Sequence, residues 1–307
     1  MQHIPVLLNE VIKSLNIEKN GIYIDGTFGN GGHTKEILKY LSSNGRVLGF
    51  DRDPLAFKSG KKINDSRLLL FNDVFSNILK YTTQLNLNKK INGMILDLGL
   101  SSFQIKNSKR GFSFQKNGPL DMRMNPLLGF SLSQKLNFLK EEKLSKILKN
   151  FGNEKYAKKI AFLIKKYQKK KPILTTFELV KIIKQAVPLK YPFKNPATRT
   201  FLALRIYINQ ELKELKKILN ISLKILKPGA ILAIISFNSS EDRIIKNFFK
   251  KNSSIIKVPM GLPITEIELK KRSKKKIENF KKIKPTKKEI NTNKKSRSAI
   301  LRFAKIL

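Results

Sequence analysis

The sequence predicts an α/β protein in which a parallel, doubly wound sheet is interrupted by a helical insertion. Through residues 1–103, short apolar runs typical of buried strands alternate with segments of helical periodicity. Several of these runs end at an acidic residue. The alternation then stops over residues 104–195, which are helical in pattern and basic, and a further strand-like run follows at 230–237.

The first predicted strand, turn and helix form the centre of this prediction. Residues 22–24 (Ile-Tyr-Ile) read as a buried strand that ends at Asp25, and four glycines follow between positions 26 and 32. Residues 34–41 then show helical spacing. A strand, a glycine turn and a helix together form the nucleotide-sized crevice at the carboxyl edge of an open α/β sheet.

The turn favours a ligand without phosphates. A dinucleotide fingerprint needs G-x-G-x-x-G, but counting from Gly29 and Gly31 the third position is Thr34. Asp25 would repel a pyrophosphate and suits a sulfonium or ammonium group. A second strand, residues 47–50, ends at Asp51, where a carboxylate can accept hydrogen bonds from ribose hydroxyls. These features favour S-adenosylmethionine, with an NAD-dependent dehydrogenase as the alternative.

The remaining elements of the first part follow in order. Residues 1–20 predict a lead-in helix, and Asp53-Pro54 opens a short helix with an acidic cap and proline at its first position. The third and fourth strands are predicted at 67–71 and 91–98. Because parallel strands share one carboxyl edge, we expect four side chains to gather there: Asp25, Asp51, Phe75 and Asp97.

The rest of the chain predicts an insertion and a return to the sheet. Residues 103–130 are loop-like and 131–190 helical, with Thr176 as the expected cap of a helix over 177–187. A long helix is expected from Ala197 to Leu226. The predicted parts are a first part of the α/β domain (1–103), an inserted helical substrate-recognition domain (104–195), a second part of the α/β domain (196–307), a mobile basic segment (270–296) and an edge strand (298–303). A mere packing role for the insertion is the alternative.

The charge of the chain points to a polyanionic partner. Sixty-three Lys and Arg stand against 22 Asp and Glu, a formal net charge of +41. Such a field attracts nucleic acid and makes binding salt-dependent. The abundance of Lys, Ile and Asn also suits an A/T-rich coding bias, which would spread lysine regardless of function. Charge alone does not separate RNA from DNA.

Two residue types exclude several kinds of chemistry. The chain has no cysteine, which excludes disulfides, thiolate zinc sites and cysteine nucleophiles, and its two histidines, His3 and His33, cannot build a histidine-rich metal site.

No apolar run reaches the length of a membrane span. The first ten residues lack the basic region of a signal peptide. We therefore predict a cytoplasmic protein without metal or membrane.

Several motifs together resemble one family. DGTFGNGGHT (25–34), FDRDP (50–54), DLGLSS (97–102), GPLDMRM (118–124) and NPATRTFLALRIYIN (195–209) are similar to the MraW, or RsmH, methyltransferases of bacteria. The resemblance runs essentially end to end. It implies a class I S-adenosylmethionine-dependent methyltransferase fold, Rossmann-like and doubly wound, with an inserted helical domain. The implied activity is N4-methylation of a decoding-centre cytidine in 16S rRNA of the small ribosomal subunit, and no protein partner is implied.

The resemblance also implies cofactor-binding residues. The methionine end of S-adenosylmethionine would contact Gly31, Gly32 and His33. Asp51 would hold the ribose, and Phe75 would lie against the adenine. The remaining edge would be closed by Asp97 and Gln104. From the residues alone, His33 fits equally a polar residue in a first helical turn, and Phe75 a core residue.

One segment departs from the family pattern. In ISFNSSEDR (235–243), Asn238 and Ser240 stand where the family typically has His and Leu. Asn cannot titrate near neutral pH. If the family His accepts a proton, activity here is reduced; if it only orients the base, which we favour, Asn suffices. Asp97 and Asn238 are the candidate catalytic residues, and a non-catalytic RNA-binding or ribosome-assembly protein with this fold is the alternative function.

Overall fold

A computed structural model describes residues 4–188, 195–253 and 275–307. The chain divides into two compact units. The first consists of Met1–Gly99 and Leu212–Leu307, and the second is Leu100–Glu211. The second unit is therefore inserted into the first in sequence and covers residues 100–211, whereas the sequence predicted an insertion over 104–195.

The first unit contains the predicted doubly wound sheet. Its seven strands run in the order β3-β2-β1-β4-β5-β7-β6. The first five in sequence are parallel, while β7 is antiparallel to β5 and to β6. Because the order reverses between β1 and β4, the sheet has its crevice at their carboxyl ends. The strands are β1 Ile22–Asp25, β2 Arg46–Phe50, β3 Leu68–Phe71, β4 Ile91–Asp97, β5 Leu226–Ser236, β6 Ile277–Ile283 and β7 Ile300–Ile306.

Thirteen helices are present in the described ranges. The second unit holds α5 to α10, and the others belong to the first unit, with α11 beginning at the boundary. They are α1 Leu8–Leu15, α2 Gly32–Tyr40, α3 Pro54–Gly60, α4 Ile78–Gln84, α5 Ser102–Lys106, α6 Leu132–Phe138, α7 Glu141–Gly152, α8 Ala157–Gln168, α9 Thr176–Ala186, α10 Ala197–Asn209, α11 Glu211–Ile225, α12 Ser239–Ser253 and α13 Lys287–Thr292.

The sheet buries apolar side chains on both faces. Along β4, Met94 and Leu96 belong to one buried cluster and Ile95 to the other. The alternation follows from the period of two along a strand. Residues of α4, α11 and α12 cover the first face, and residues of α1 and α2 cover the second. The layered class I architecture expected from the sequence is thus confirmed.

The predicted long helix over 197–226 is broken in the structure. Gln210 lies in the left-handed region with φ 52°, and α10 and α11 end and begin on either side of it. The Arg205 guanidinium donates two hydrogen bonds of 2.8 Å to the Glu211 carboxylate across the break. Such a bidentate pair stabilises the bend, and the sequence pattern of apolar residues does not reveal it.

The segment predicted to be mobile is folded wherever it is described. Residues 275–296 form β6, α13 and a 3-10 turn at 294–298, while 270–274 lie outside the described residues. Ile277 is fully buried in the core, and Thr286 caps α13. The predicted edge strand 298–303 is instead β7, which lies between β5 and β6. Strand β6 was not predicted because few of its residues are apolar. It is held in the sheet by backbone pairing with β7.

The second unit is helical, with its own buried core. Helix α10 belongs to it because α10 packs against α7: a Cβ on Gly152 of α7 would overlap the carbonyl oxygen of Arg199. This close approach explains the later boundary. Thr175, not Thr176, caps α9, and its side chain accepts from the backbone of Glu178. Across the described part of the chain, no helix combines the length and apolarity that a bilayer crossing needs.

Candidate active site

Three carboxylates lie at the carboxyl ends of neighbouring strands. Asp25 ends β1, Asp97 ends β4 and Asp51 follows β2. Strand β1 pairs with both of the others, so that Asp25 is opposite Gly49 of β2 and Ile95 of β4. The predicted gathering of acids at one edge of the sheet is confirmed.

The glycine turn after β1 is fixed to both neighbouring strands. The Phe28 amide donates to the Phe50 carbonyl at 2.9 Å, and the Gly26 amide to the Ile95 carbonyl at 3.0 Å. Gly31 has φ +71°, which L side chains rarely adopt. A Cβ on Gly32 would overlap the ring of Pro5. The turn therefore depends on glycine for its backbone conformation and for a close contact.

Asp25 organises this turn instead of facing a ligand. Its side chain is 1% exposed. Oδ2 accepts from the Thr34 hydroxyl at 2.7 Å, and Oδ1 accepts from the Thr27 amide at 3.1 Å. Burial raises the pKa of Asp25. The sequence argument that Asp25 would meet a sulfonium directly is not supported by this geometry.

Asp51 presents a held but still available carboxylate. Oδ2 accepts from the Gly29 amide and Oδ1 from the Asp53 amide, both at 2.8 Å. Burial raises the pKa of Asp51 to about 6, although these amides act in the opposite direction. Each carboxylate oxygen has a second lone pair. At neutral pH the group can therefore accept further hydrogen bonds from paired hydroxyls.

Asp97 carries a buried oxygen that nothing in the described ranges satisfies. Its Oδ1 is one of two buried side-chain N or O atoms there without a hydrogen-bond partner. Its Oδ2 lies 4.0 Å from His33 Nδ1. Burial raises the pKa of Asp97 to about 6; His33 acts to lower it and Asp25 to raise it. An acceptor of raised basicity is thus left without a partner at the end of β4.

His33 is oriented by the N-terminal segment. Its ring is 5% exposed. Nε2 lies 3.1 Å from the Val6 carbonyl oxygen. Because a carbonyl only accepts, Nε2 must carry the proton, which leaves Nδ1 toward Asp97. The ring is therefore held by Val6 on one side and lies toward Asp97 on the other, contacts that the sequence of a first helical turn does not reveal.

Phe75 lies in a 3-10 turn, Phe75–Asn77, directly after β3. Its ring is partly buried, and the Arg52 guanidinium carbon lies 5.9 Å from the ring centre. The next residue, Ser76, donates a hydrogen bond to the buried Glu214 carboxylate. Glu214 fixes the turn that presents Phe75. The sequence signal was available, because Glu214 lies on the face of α11 that buries Leu215 and Ile218.

Asn238 caps α12 at the end of β5. Its Oδ1 accepts from the amides of Ser240 at 3.1 Å and Glu241 at 3.0 Å. The Glu241 carboxylate accepts in return from the amides of Phe237 at 3.0 Å and Asn238 at 3.3 Å. This reciprocal arrangement is a capping box built on Asn. Its Oδ1 is therefore occupied and does not serve as a proton acceptor.

Gln104, the remaining predicted site residue, belongs to the second unit. It is 4% exposed and lies in α5. The side-chain Oε1 of Gln104 accepts from the backbone amide of Ser101 at 3.0 Å, and the backbone amide of Gln104 donates to the Ser101 hydroxyl at 3.3 Å. Within its unit Gln104 thus completes a capping box at the start of α5. Its predicted role toward the cofactor stays a prediction.

A segment far away in sequence supports the glycine turn. Glu289 of α13 accepts from the Leu7 amide at 2.7 Å, and Asn293 donates to the Ile4 carbonyl at 3.1 Å. Leu7 has the left-handed φ of 52°. Residues 4–7 are therefore held in place by α13 and the residue that follows it. Through Pro5 and Val6 they contact Gly32 and His33. We call residues 4–7 together with α13 the N-terminal clasp.

The clasp yields a first prediction. Glu289→Ala should destabilise the protein by about 1–2 kcal/mol, because it removes a charge-assisted acceptor from a strained backbone position. Amide hydrogen exchange at Leu7 should accelerate most. Glu289→Gln retains an acceptor oxygen, so its stability and its exchange rate at Leu7 should lie between those of the wild type and of Glu289→Ala. Unchanged exchange at Leu7 in Glu289→Ala would show that the clasp does not hold this segment.

The Asp51 and Asp97 carboxylates suit a ligand with hydroxyl donors and a cationic centre. The Phe75 ring suits a flat apolar part of such a ligand. No group of three or more His, Cys, Asp or Glu residues in the described ranges could hold a metal ion. A phosphate-rich ligand would be repelled by Asp51 and Asp97.

Comparison with known proteins shows the family of the chain. A model of the MraW methylase family matches residues 1–307. Two curated relatives, each called ribosomal RNA small subunit methyltransferase H, are similar along their full length. The protein from Buchnera aphidicola subsp. Cinara cedri is 54% identical, with 100% of both chains covered. The protein from Wigglesworthia glossinidia brevipalpis is 51% identical, with 99% of both covered. A solved rRNA methylase from Streptococcus thermophilus aligns at TM-score 0.42 and 14% identity, over 100% of this chain and 99% of that one.

Proposed function

The chain belongs to the MraW methylase family, and we propose that it transfers a methyl group from S-adenosylmethionine to N4 of a decoding-centre cytidine in 16S rRNA. The curated relatives are called small subunit rRNA methyltransferases. The observation that carries the proposal is the unpaired, buried Oδ1 of Asp97 at the end of β4. An acceptor at that point is what a poorly nucleophilic exocyclic amine requires.

The cofactor of the reaction is S-adenosylmethionine, and the residues present fit it. The turn at Gly31 and Gly32 lacks side chains that would block a close approach. The Asp51 carboxylate has lone pairs left for the two ribose hydroxyls, and Phe75 offers a ring for the adenine. We assign His33 to the methionine end, where Nδ1 is the ring atom left for contact. Asp97 is assigned to the remaining edge, and the role of Gln104 toward the cofactor stays a prediction.

The chemistry consists mostly of placement. S-adenosylmethionine supplies an electrophilic methyl group on sulfur, and the transfer is an in-line displacement. Positioning by the protein can contribute roughly 7–11 kcal/mol of the barrier. Asp97 Oδ1 accepts a hydrogen bond from the cytosine amino group and so localises the nitrogen lone pair. Because its pKa is about 6, Asp97 is ionised at pH 7 yet more basic than an ordinary aspartate. It can receive the proton released after attack.

The second unit is the candidate RNA-binding part. Residues 100–211 contain 24 Lys and Arg against six Asp and Glu. Such a surface holds the phosphate backbone without reading its sequence. The target base must also leave its stack to reach the site, which costs a few kcal/mol. Selection by RNA shape predicts that folded subunits, in which the base is displayed, are better substrates than short RNA.

This proposal is tested with labelled S-adenosylmethionine and unmethylated small ribosomal subunits. We expect N4-methylcytidine at a single decoding-centre position, measured by nucleoside mass spectrometry of the isolated rRNA. A short oligonucleotide of the same sequence should react at least about tenfold more slowly, because it lacks the displayed shape. Label on another atom, or equal rates on both substrates, would contradict the proposal.

A non-catalytic RNA-binding role is the second candidate. It is favoured by one observation: the Oδ1 of Asn238, one of the two candidate catalytic residues, is occupied by the α12 cap. Calorimetry with S-adenosylmethionine distinguishes the two functions. The enzyme must bind this cofactor, whereas a protein that only binds RNA has no need to retain that affinity.

A further inference from the structure

Two buried side-chain atoms in the described ranges lack hydrogen-bond partners, and they are complementary. They are the acceptor Asp97 Oδ1 and the donor Asn238 Nδ2. Unpaired buried polar atoms are rare in folded proteins, and each needs an explanation. Both atoms belong to the first unit and lie at the carboxyl edge of its sheet. An acceptor and a donor, both without partners, thus lie at one edge of the sheet.

The two residues follow neighbouring strands. Asp97 is paired with Ile235 in the β4–β5 ladder, and the Leu98 amide donates to the Ile235 carbonyl at 3.0 Å. Asn238 comes three residues after Ile235, just past the end of β5. Apart from Asp97 itself and Gln104, the residues assigned to the cofactor follow β1, β2 and β3, which lie on the other side of β4. Asn238 is therefore on the acceptor-substrate side of Asp97.

The orientation of the Asn238 amide is fixed. Its Oδ1 accepts from two backbone amides, those of Ser240 and Glu241. Rotating the group by half a turn would place NH₂ against both N–H donors. What remains without a partner is consequently a donor with two hydrogens and no acceptor. At this position the chain therefore offers a fixed neutral donor.

We infer that Asn238 Nδ2 donates a hydrogen bond to ring atom N3 of the target cytosine, while Asp97 Oδ1 accepts from N4. This inference rests on the proposed function. Cytosine shows a donor at N4 beside an acceptor at N3, which matches the pair. Uracil shows the reverse, an acceptor at O4 beside a donor at N3, and would meet like groups at both contacts. Asn238 is thus a specificity-determining residue for an aminopyrimidine.

Two substitutions separate this role from the cap of α12. Asn238→Asp keeps a capping oxygen, since Asp and Asn are equivalent N-caps, but replaces the donor by an acceptor. Asn238→Ser also keeps a capping oxygen, shortens the side chain and adds no charge. Neither variant should unfold, and thermal melting checks this. Asn238→Ala, which loses cap and donor together, serves as the destabilised control.

The measurement is transfer to unmethylated small subunits under conditions that separate kcat from KM. We expect kcat/KM to fall about 10- to 100-fold in Asn238→Asp and Asn238→Ser, with S-adenosylmethionine affinity unchanged. In subunits reconstituted with 3-deazacytidine at the target, which lacks the N3 acceptor, wild type should lose a similar factor. The variants should then lose little more.

The outcomes are distinguishable. If wild type transfers no methyl group to cytosine N4, the proposed function fails, whatever the variants do. If wild type is active and both folded variants stay within about threefold of it, Asn238 does not read the base. Additive losses from the variants and from 3-deazacytidine would also overturn the inference, because two changes that remove one hydrogen bond should not add.

Discussion

Replacing Asp97 by asparagine is expected to slow methyl transfer by about 10²–10⁴-fold, the range that a positioned acid–base group contributes. The substitution keeps the shape of the side chain and removes the acceptor that takes the amino proton. Affinity for S-adenosylmethionine should change much less than the rate. Single-turnover transfer at saturating subunit concentration measures the chemical step directly. A loss below about threefold would remove Asp97 from the catalytic step.

The same substitution should make the cofactor-free protein more stable at alkaline pH. Because the folded-state pKa of Asp97 is raised to about 6, the folded protein binds more protons than the unfolded chain between about pH 4 and 6. The contribution of this group to stability therefore decreases as pH rises through that window. Asp97→Asn should gain about 1–3 kcal/mol at pH 8, and the gain should shrink as pH falls below 6.

A matched control lies one strand away. Asp25 is also buried, but both of its oxygens accept hydrogen bonds, from Thr27 and Thr34. Burial also raises the pKa of Asp25, so that removing its charge favours folding at pH 8, but Asp25→Asn loses an accepted hydrogen bond. We therefore expect Asp25→Asn to be less stable than Asp97→Asn at pH 8. Chemical denaturation of both variants at several pH values is the measurement. Destabilisation by Asp97→Asn at pH 8 would show that Oδ1 is satisfied in solution.

Replacing Asp51 by alanine should weaken S-adenosylmethionine binding by about 100-fold or more, because it removes two charge-assisted hydrogen bonds to the ribose. It also leaves the amides of Gly29 and Asp53 without their acceptor. Affinity for small subunits should change little, since the basic second unit is untouched. Calorimetry with the cofactor and filter binding with subunits give the two affinities.

Asp51→Asn is the control for this prediction. It retains one acceptor oxygen and should lose less affinity than the alanine variant. Because the pKa of Asp51 is about 6, wild-type cofactor affinity should also decrease as pH falls through 6, where the carboxylate becomes protonated. Equal losses of cofactor and subunit binding in Asp51→Ala would indicate misfolding instead of a ribose contact.

The parallel part of the sheet and its acidic edge could be predicted because their signals are local. Buried strands such as 91–97 are apolar runs, and Asp51 and Asp97 directly follow such runs. The cap at Asn238 was also readable, since Asn followed three positions later by Glu241 is a capping-box pattern. That this cap leaves Nδ2 without a hydrogen-bond partner could be learned only from the atomic positions in the structure.

Other features depend on residues far apart in the chain. The Leu7–Glu289 hydrogen bond joins positions separated by 282 residues, and no local sequence pattern predicts it. The break at Gln210 occurs within uninterrupted helical periodicity. Strand β6 was missed because its sequence, IENFKKI, is rich in charge. An outer strand facing solvent keeps its place by backbone pairing, and charged side chains there protect against aggregation.

The position of β7 constrains the order in which a nascent chain can mature. Strand β5 pairs with β7 along six residues, from Ile231 with Lys305 to Ser236 with Ile300. While the ribosome is still translating the intervening stretch, β5 has one unpaired, strongly apolar edge. Such an edge invites aggregation or chaperone binding. Premature termination in that interval would leave the edge permanently open, and the truncated product would be expected to go to proteolysis.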